Sequence, residues 1–197
     1  MPFSKSAEDS GSAAGNFASA RDDSELASAA LAGERRAFDT LVERYQSRIY
    51  NLALRVTGNA ADALDATQAT FLKVYLNLHR FDARRSFFSW IYRIGMNESL
   101  DVVQERRRFT ELDPEWADGE ASPEEESSGR EAGREVHEAI FELPRELRAV
   151  VVLRHFHELS YQQMGEVIGV PVKTIKSRLF EARSKLRQRL LRQGPAS

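Results

Sequence analysis

The chain contains no cysteine in 197 residues. That excludes disulfide staples and thiolate metal centres, and it suits a reducing compartment. No apolar run approaches the roughly 20 residues needed to cross a bilayer. The first residues are small and polar, with Glu8 and Asp9, and lack the apolar core of a signal peptide. The expected location is therefore cytoplasmic, without membrane insertion. No alternating strand pattern of useful length occurs, which leaves an all-α class. The formal net charge of −2 excludes a uniformly basic nucleic-acid binder. No arrangement of Ser, His and Asp suggests a triad or a carboxylate pair. The expectation is a protein without catalysis, cofactor or small-molecule substrate. His155 and His157 stand two apart at a predicted helix end, but no third ligand accompanies them, so no metal is expected.

What is present is unevenly distributed. From Glu111 to Glu135 acids dominate, opposed only by Arg130 and Arg134. From Lys173 to Arg192 the balance reverses, and Glu181 is the sole acid. Residues 1–24 read as a disordered tail. Residues 25–108 carry helical patterns. Leu26 to Ala32 form a short one. Phe38, Leu41, Val42, Tyr45, Ile49, Leu52 and Val56 form a long amphipathic stripe, broken at Gly58 and Asn59. Leu64, Phe71, Leu72, Tyr75 and Leu78 predict a second apolar stripe. After a break near Phe81 and Asp82, Ser86 caps a third long helix through Trp90, Ile91, Ile94 and Val102, ending in Arg106, Arg107 and Arg108. Residues 109–135, with Pro114, Gly119, Pro123 and the run Glu124 to Glu126, read as an acidic flexible linker. Residues 136–193 return to helical patterns, Pro144 opening the helix of Leu147, Val150, Val151 and Leu153.

The stretch from Leu159 to Leu179 is the most informative. Ser160 with Gln163 fits a capping box. Tyr161, Met164 and Ile168 share one helical side, and Gly165 on that side permits a close helix crossing. Gly169 supplies a turn, and Pro171 suits the start of the next helix. There Val172, Ile175, Leu179, Ala182 and Leu186 face inward, while Lys173, Lys176, Ser177 and Phe180 face outward. This is a helix-turn-helix whose second helix can lie in the major groove. Lys173, Lys176 and Arg178 suit phosphates or guanine edges, and Ser177 suits either. Arg183, Lys185, Arg187 and Arg189 add a general positive field.

Two blocks together resemble a known family. Leu143-Pro144, Val151 to Arg154, Leu159 to Tyr161, Gly169 to Pro171, Thr174 to Leu179, and Ala182-Arg183 match region 4 of extracytoplasmic-function sigma factors. Asp62 to Phe71 resembles region 2.2, and Phe87 to Ile94 with Asn97 and Asp101 resembles regions 2.3 and 2.4. Leu64 and Ala69 stand where members usually carry glutamate, and Glu181 where many carry a basic residue.

The resemblance implies a promoter-specificity subunit of bacterial RNA polymerase. Residues 25–108 would form a region 2 domain, and residues 136–193 a region 4 domain. Asp62, Asp65, Gln68 and Phe71 would dock on the core enzyme. Arg84, Arg85, Trp90, Asn97, Asp101 and Arg106 to Arg108 would handle single-stranded minus-ten DNA. Trp90 also suits the core beside Ile91 and Ile94. Lys173, Thr174, Lys176, Ser177, Arg178, Phe180 and Arg183 would read duplex minus-thirty-five DNA. An anti-sigma factor is the implied regulator. The acidic linker is read either as a passive tether or as a polyanion that threads the positively charged channel that later holds RNA. The other readings are a helix-turn-helix regulator that never joins the polymerase, and a decoy that titrates an anti-sigma factor.

Overall fold

The structure is a computed structural model that describes residues 21–112 and 130–193. Among them every regular element is helical: α1 (Asp23–Leu31), α2 (Arg35–Thr57), α3 (Ala60–Asn77), α4 (Phe87–Leu112), α5 (Arg130–Phe141), α6 (Arg145–His155), α7 (Tyr161–Ile168) and α8 (Val172–Gln193), with a short 3-10 turn at Leu78–Arg80.

Local chemistry sets the boundaries. Asp22 accepts from the Glu25 amide at 2.8 Å, and the Glu25 carboxylate accepts from the Asp22 amide at 3.2 Å. This capping box starts α1 at Asp23, so the expected tail of residues 1–24 ends earlier than the sequence suggests. Residues 1–20 lie outside the described range. Asn59 caps α3 by accepting from the Asp62 amide at 3.0 Å. The Ser86 hydroxyl accepts from the Ser89 amide at 3.2 Å, as its position before α4 predicts. The expected linker of residues 109–135 is also shorter. α4 continues past Arg108 to Leu112, and α5 begins at Arg130. The acidic run Glu124 to Glu126 lies outside the described residues.

The core begins with α2. Leu41, Tyr45, Ile49, Leu52 and Val56 are all buried, one face of a single helix. α3 departs from the expected stripe. Its buried face is Ala63, Ala66, Thr67, Thr70 and Val74, while Leu64, Leu72 and Tyr75 point to solvent. The small face allows close approach to α2 and α4. The two threonine hydroxyls donate back to Ala63 O and Ala66 O at 2.6 Å, so neither is left unsatisfied. Phe71 is half-buried and packs on the core, and Leu78 is buried as the pattern predicts.

The second unit, α5 to α8, packs directly on the first. Buried residues of α2 and α4 form one cluster with Val150, Leu153, Met164, Val167 and Ile175. At this junction the Tyr92 hydroxyl and His157 Nδ1 are 3.3 Å apart. Burial, aided by Arg55, pushes the His157 imidazole down to about 4. Burial also lowers His137, with Arg55 and Arg148 adding to the effect. The sign follows from the imidazolium being favoured wherever water reaches the ring. The packed state is fully stabilised above the ordinary histidine value of about 6.5 and loses stability as pH falls from there toward about 4. Thermal melts between these limits should show Tm dropping with acidification. His157→Asn should flatten that dependence; an unchanged slope would remove His157 as a contributor.

Candidate nucleic-acid interface

The helix-turn-helix forms as its residues dictate. The Ser160 hydroxyl accepts from the Gln163 amide at 3.2 Å, and the Gln163 side-chain oxygen accepts from the Ser160 amide at 2.9 Å. Gly169 takes φ +80°, and its amide donates to Gly165 O at 2.8 Å. A side chain there would be strained. A Cβ on Gly165 would lie 3.0 Å from Val170 O in the turn and 3.9 Å from Val172 Cγ2 at the start of α8, so the tightest constraint is the turn and the second is the approach of α8.

α8 buries Ile175, Leu179 and Ala182 and leaves Lys173, Lys176, Ser177, Phe180 and Arg183 exposed. Phe180 is 78% exposed, on the same outward side as Lys173, Lys176 and Ser177. Lys176 Nζ lies 5.8 Å from the Tyr161 ring centre, which orients its stem across the turn. Thr174 is half-buried, and its carbonyl accepts from the Ser177 hydroxyl at 3.0 Å. Arg178 is half-buried and turns toward the first unit rather than outward. Glu181 is exposed and pairs with Lys185 at 3.8 Å, so its charge is partly neutralised within α8.

The second basic surface is a cleft of about 720 Å³ beside the start of α4. Arg80, Arg84, Arg85 and Arg93 line it with Phe81, Ser89, Trp90 and, from α7, Glu166. Trp90 packs on neighbouring rings and also borders the cleft. Its ring centre lies 5.2 Å from that of Phe81 and 5.7 Å from that of Phe87. Arg84 Nε holds Asp82 Oδ1 at 2.9 Å, and this bond keeps the Asp82 carboxyl down at about 2. Arg85 remains 76% exposed.

The other single-strand residues are more committed than the sequence suggests. Asn97 and Asp101 share an exposed face of α4, one turn apart. Asp101 is paired with Arg145 of α6. Arg106 pairs with Asp62 of α3 at 3.1 Å, joining a residue expected to dock on polymerase to one expected to clamp DNA. Arg107 donates to Phe141 O and lies 5.4 Å from that ring, while Arg108 is exposed. In this arrangement only Arg108 of the three is turned to solvent without a described partner.

A third surface lies along α3, where part of the expected apolar stripe faces solvent. Leu64, Leu72, Tyr75 and Leu76 are 50%, 59%, 62% and 59% exposed along α3, with Asp65 and Gln68 exposed between them. The apolar side chains are thus grouped on one exposed side of α3, with polar residues interleaved. The signal that could have found it is the small-residue face opposite.

Comparison with known proteins bears on the family of the whole chain. The sigma-70 region 2 profile matches residues 41–109, and the sigma-70 region 4 profile matches residues 133–186. The chain is 33% identical over 170 residues to the ECF RNA polymerase sigma factor SigW of Bacillus subtilis, covering 80% of this chain and 91% of that one. It is 36% identical over 187 residues to the RNA polymerase sigma-H factor of Pseudomonas aeruginosa, covering 87% and 97%. Among solved structures it resembles CnrH in complex with the cytosolic domain of CnrY. That likeness has 27% identity and a TM-score of 0.65, over 87% of this chain and 98% of that one.

Proposed function

The chain belongs to the sigma-70 family, in its extracytoplasmic-function group, and from that premise we propose a division of labour among its surfaces. The protein binds RNA polymerase core and directs it to promoters, and its own work is binding rather than catalysis. No described helix is long and apolar enough to cross a membrane, and the proposed place of action is the cytoplasm, beside DNA and polymerase.

The α3 stripe with Asp65 and Gln68 docks on the core enzyme. The α4 cleft, with Trp90, Arg84, Arg85 and the Asn97–Asp101 face, receives the separated minus-ten strand. An aromatic wall flanked by arginines suits unstacked bases and their phosphates. α8 reads duplex DNA upstream. The observation that carries this reading is two basic surfaces of different shape on one chain: an exposed helix for a groove, and an aromatic cleft for a strand. Transcription with purified core enzyme on a promoter template tests it; start-site selection should require the chain.

Lys176→Ala should separate the two kinds of duplex contact. Loss of a phosphate contact would weaken all sequences alike and lower the salt slope by about one. Loss of a base contact would relax one position by roughly 1–3 kcal/mol. Full promoter activity with Lys176 and Arg178 both replaced would exclude α8 as the reader.

Regulation by an anti-sigma factor belongs to the same proposal. The relative CnrH was solved with a partner's cytosolic domain on it, and the exposed leucines of α3 offer such a partner a surface. Affinity purification from uninduced cells should recover a protein other than polymerase subunits. Recovery of polymerase alone would point to control by expression level.

A further inference from the structure

α8 carries a single acid among its basic residues, and it carries it on the outward side. Between Lys173 and Arg192 Glu181 is the only acidic residue. Ile175, Leu179 and Ala182 are buried, whereas Glu181 lies on the exposed arc with Ser177, four residues before it, and Ser184, three residues after it. Lys176 and Phe180 belong to the same arc. Both serines are short, so along the arc nothing bulky flanks the longer Glu181 side chain. Its carboxylate lies 3.8 Å from Lys185 Nζ, and the two side chains are 59% and 48% exposed. That distance is longer than a hydrogen bond, and an ion pair so exposed contributes little. The carboxylate lone pairs are therefore open to a donor. Lys185 sits about 40° further round the helix at 3.6 residues per turn. With α8 in a groove, Lys185 stands nearer the phosphate wall and screens Glu181 from it, while Glu181 stands nearer the base edges.

The floor of the major groove restricts what a carboxylate can meet, because an ionised carboxylate only accepts hydrogen bonds. Guanine shows two acceptors there, and thymine shows an acceptor and a methyl group. Against either, the carboxylate loses water and gains no donor. Adenine offers an amine beside an acceptor nitrogen. Cytosine offers its amine with no acceptor beside it on its own edge.

We propose that Glu181 is a specificity-determining residue of α8 that accepts from a cytosine amine in the upstream element. The proposal rests on α8 being the duplex reader. The acid lowers affinity for DNA in general and restores it where cytosine stands opposite, so it widens the gap between a correct site and all others.

The test presents holoenzyme, assembled from the full chain and core polymerase, with a duplex library randomised across the upstream element, and counts the bound sequences. Wild type should prefer cytosine at one position by roughly tenfold, the scale of one good base contact. Glu181→Gln keeps the shape and gains an amide that pairs with adenine N6 and N7, so the preference should move to adenine at that same position. Glu181→Arg should move it to guanine there. Glu181→Ala should flatten that position alone and bind unrelated DNA more tightly. A wild-type profile without a cytosine preference would overturn the proposal. So would wild-type base preferences in Glu181→Gln and Glu181→Ala with only a uniform change in affinity, which would leave Glu181 a general repeller of phosphate. Replacement of both Lys176 and Arg178 checks the reader separately. If that variant alters the profile while the Glu181 variants do not, the cytosine reading alone fails. If neither set alters it, the assignment of α8 fails as well.

Discussion

Leu72→Asp combined with Leu76→Asp lowers affinity for core RNA polymerase by about 100-fold or more and leaves Tm nearly unchanged. Both leucines are 59% exposed in the free chain. Charges at these positions therefore disturb no core. In the docked state each leucine would be buried, and burial of a leucine contributes about 1.5–3 kcal/mol. Two such losses sum to roughly 3–6 kcal/mol, or about 100-fold to 10⁴-fold in affinity. Asp65→Arg with Gln68→Ala attacks the polar positions of the same face and should act more mildly, because rim charges change affinity less than buried anchors. Titration of labelled core enzyme, alongside thermal melts, checks both variants. Wild-type affinity in the leucine pair would show that polymerase docks elsewhere.

The largest loss of stability is expected at Arg148. Its side chain is only 2% exposed, in the middle of α6. The guanidinium reaches Val56 O and Leu143 O at 3.3 Å and also donates to Phe141 O. It lies 4.5 Å from the Phe141 ring centre. One side chain thus ties the end of α2 to the α5–α6 corner. Burial, with Arg107 nearby, pulls its pKa down to about 10, which still leaves it charged at neutral pH. Alanine would empty the space and remove the guanidinium from Val56 O and Leu143 O, while Phe141 O keeps Arg107, a cost of roughly 3–5 kcal/mol. Methionine restores volume and should recover part of that. Lysine should not match it, because a single ammonium cannot serve carbonyls on separate elements. Urea unfolding of the three variants gives the order. A loss below about 1 kcal/mol in Arg148→Ala would mean that water replaces the guanidinium without difficulty.

How much of this was legible in the sequence depends on the kind of signal. The helix-turn-helix was legible nearly to the residue, because Ser160, Gln163 and Gly169 act through local backbone chemistry. α2 was legible because five large apolar residues share one face. α3 was not, because periodicity reports an apolar face without saying what covers it. Leu64, Leu72 and Tyr75 outweigh Ala63, Ala66 and Thr70 on any hydrophobicity scale, yet the smaller set packs inward. The clamp Arg106 to Arg108 was legible as charge but not as pairing. Asp62 and the Phe141 carbonyl, which engage two of the three, are distant in sequence. The contacts of Arg93 with Glu166 O and Val167 O of α7 leave no trace in the chain at all. A side chain bonded to backbone oxygens imposes no pattern on the residues that carry them.

The corner at Gly169 sets a length that the promoter must contradict. As folded, α7 ends within hydrogen-bond distance of Arg93, and α8 begins three residues beyond Gly169 at Val172. The start of α8, the proposed duplex reader, is therefore only a short step from the α4 cleft. On B-form DNA, elements roughly 25 base pairs apart are separated by about 85 Å at 3.4 Å per pair. No rotation of the folded chain reconciles those distances. If α8 and the α4 cleft take the two elements as proposed, a promoter with both would act as a ruler that the folded arrangement does not span, whereas a lone upstream element could be touched by the compact chain. Spacing between the elements would then be a mechanical criterion for initiation, separate from any base that is read.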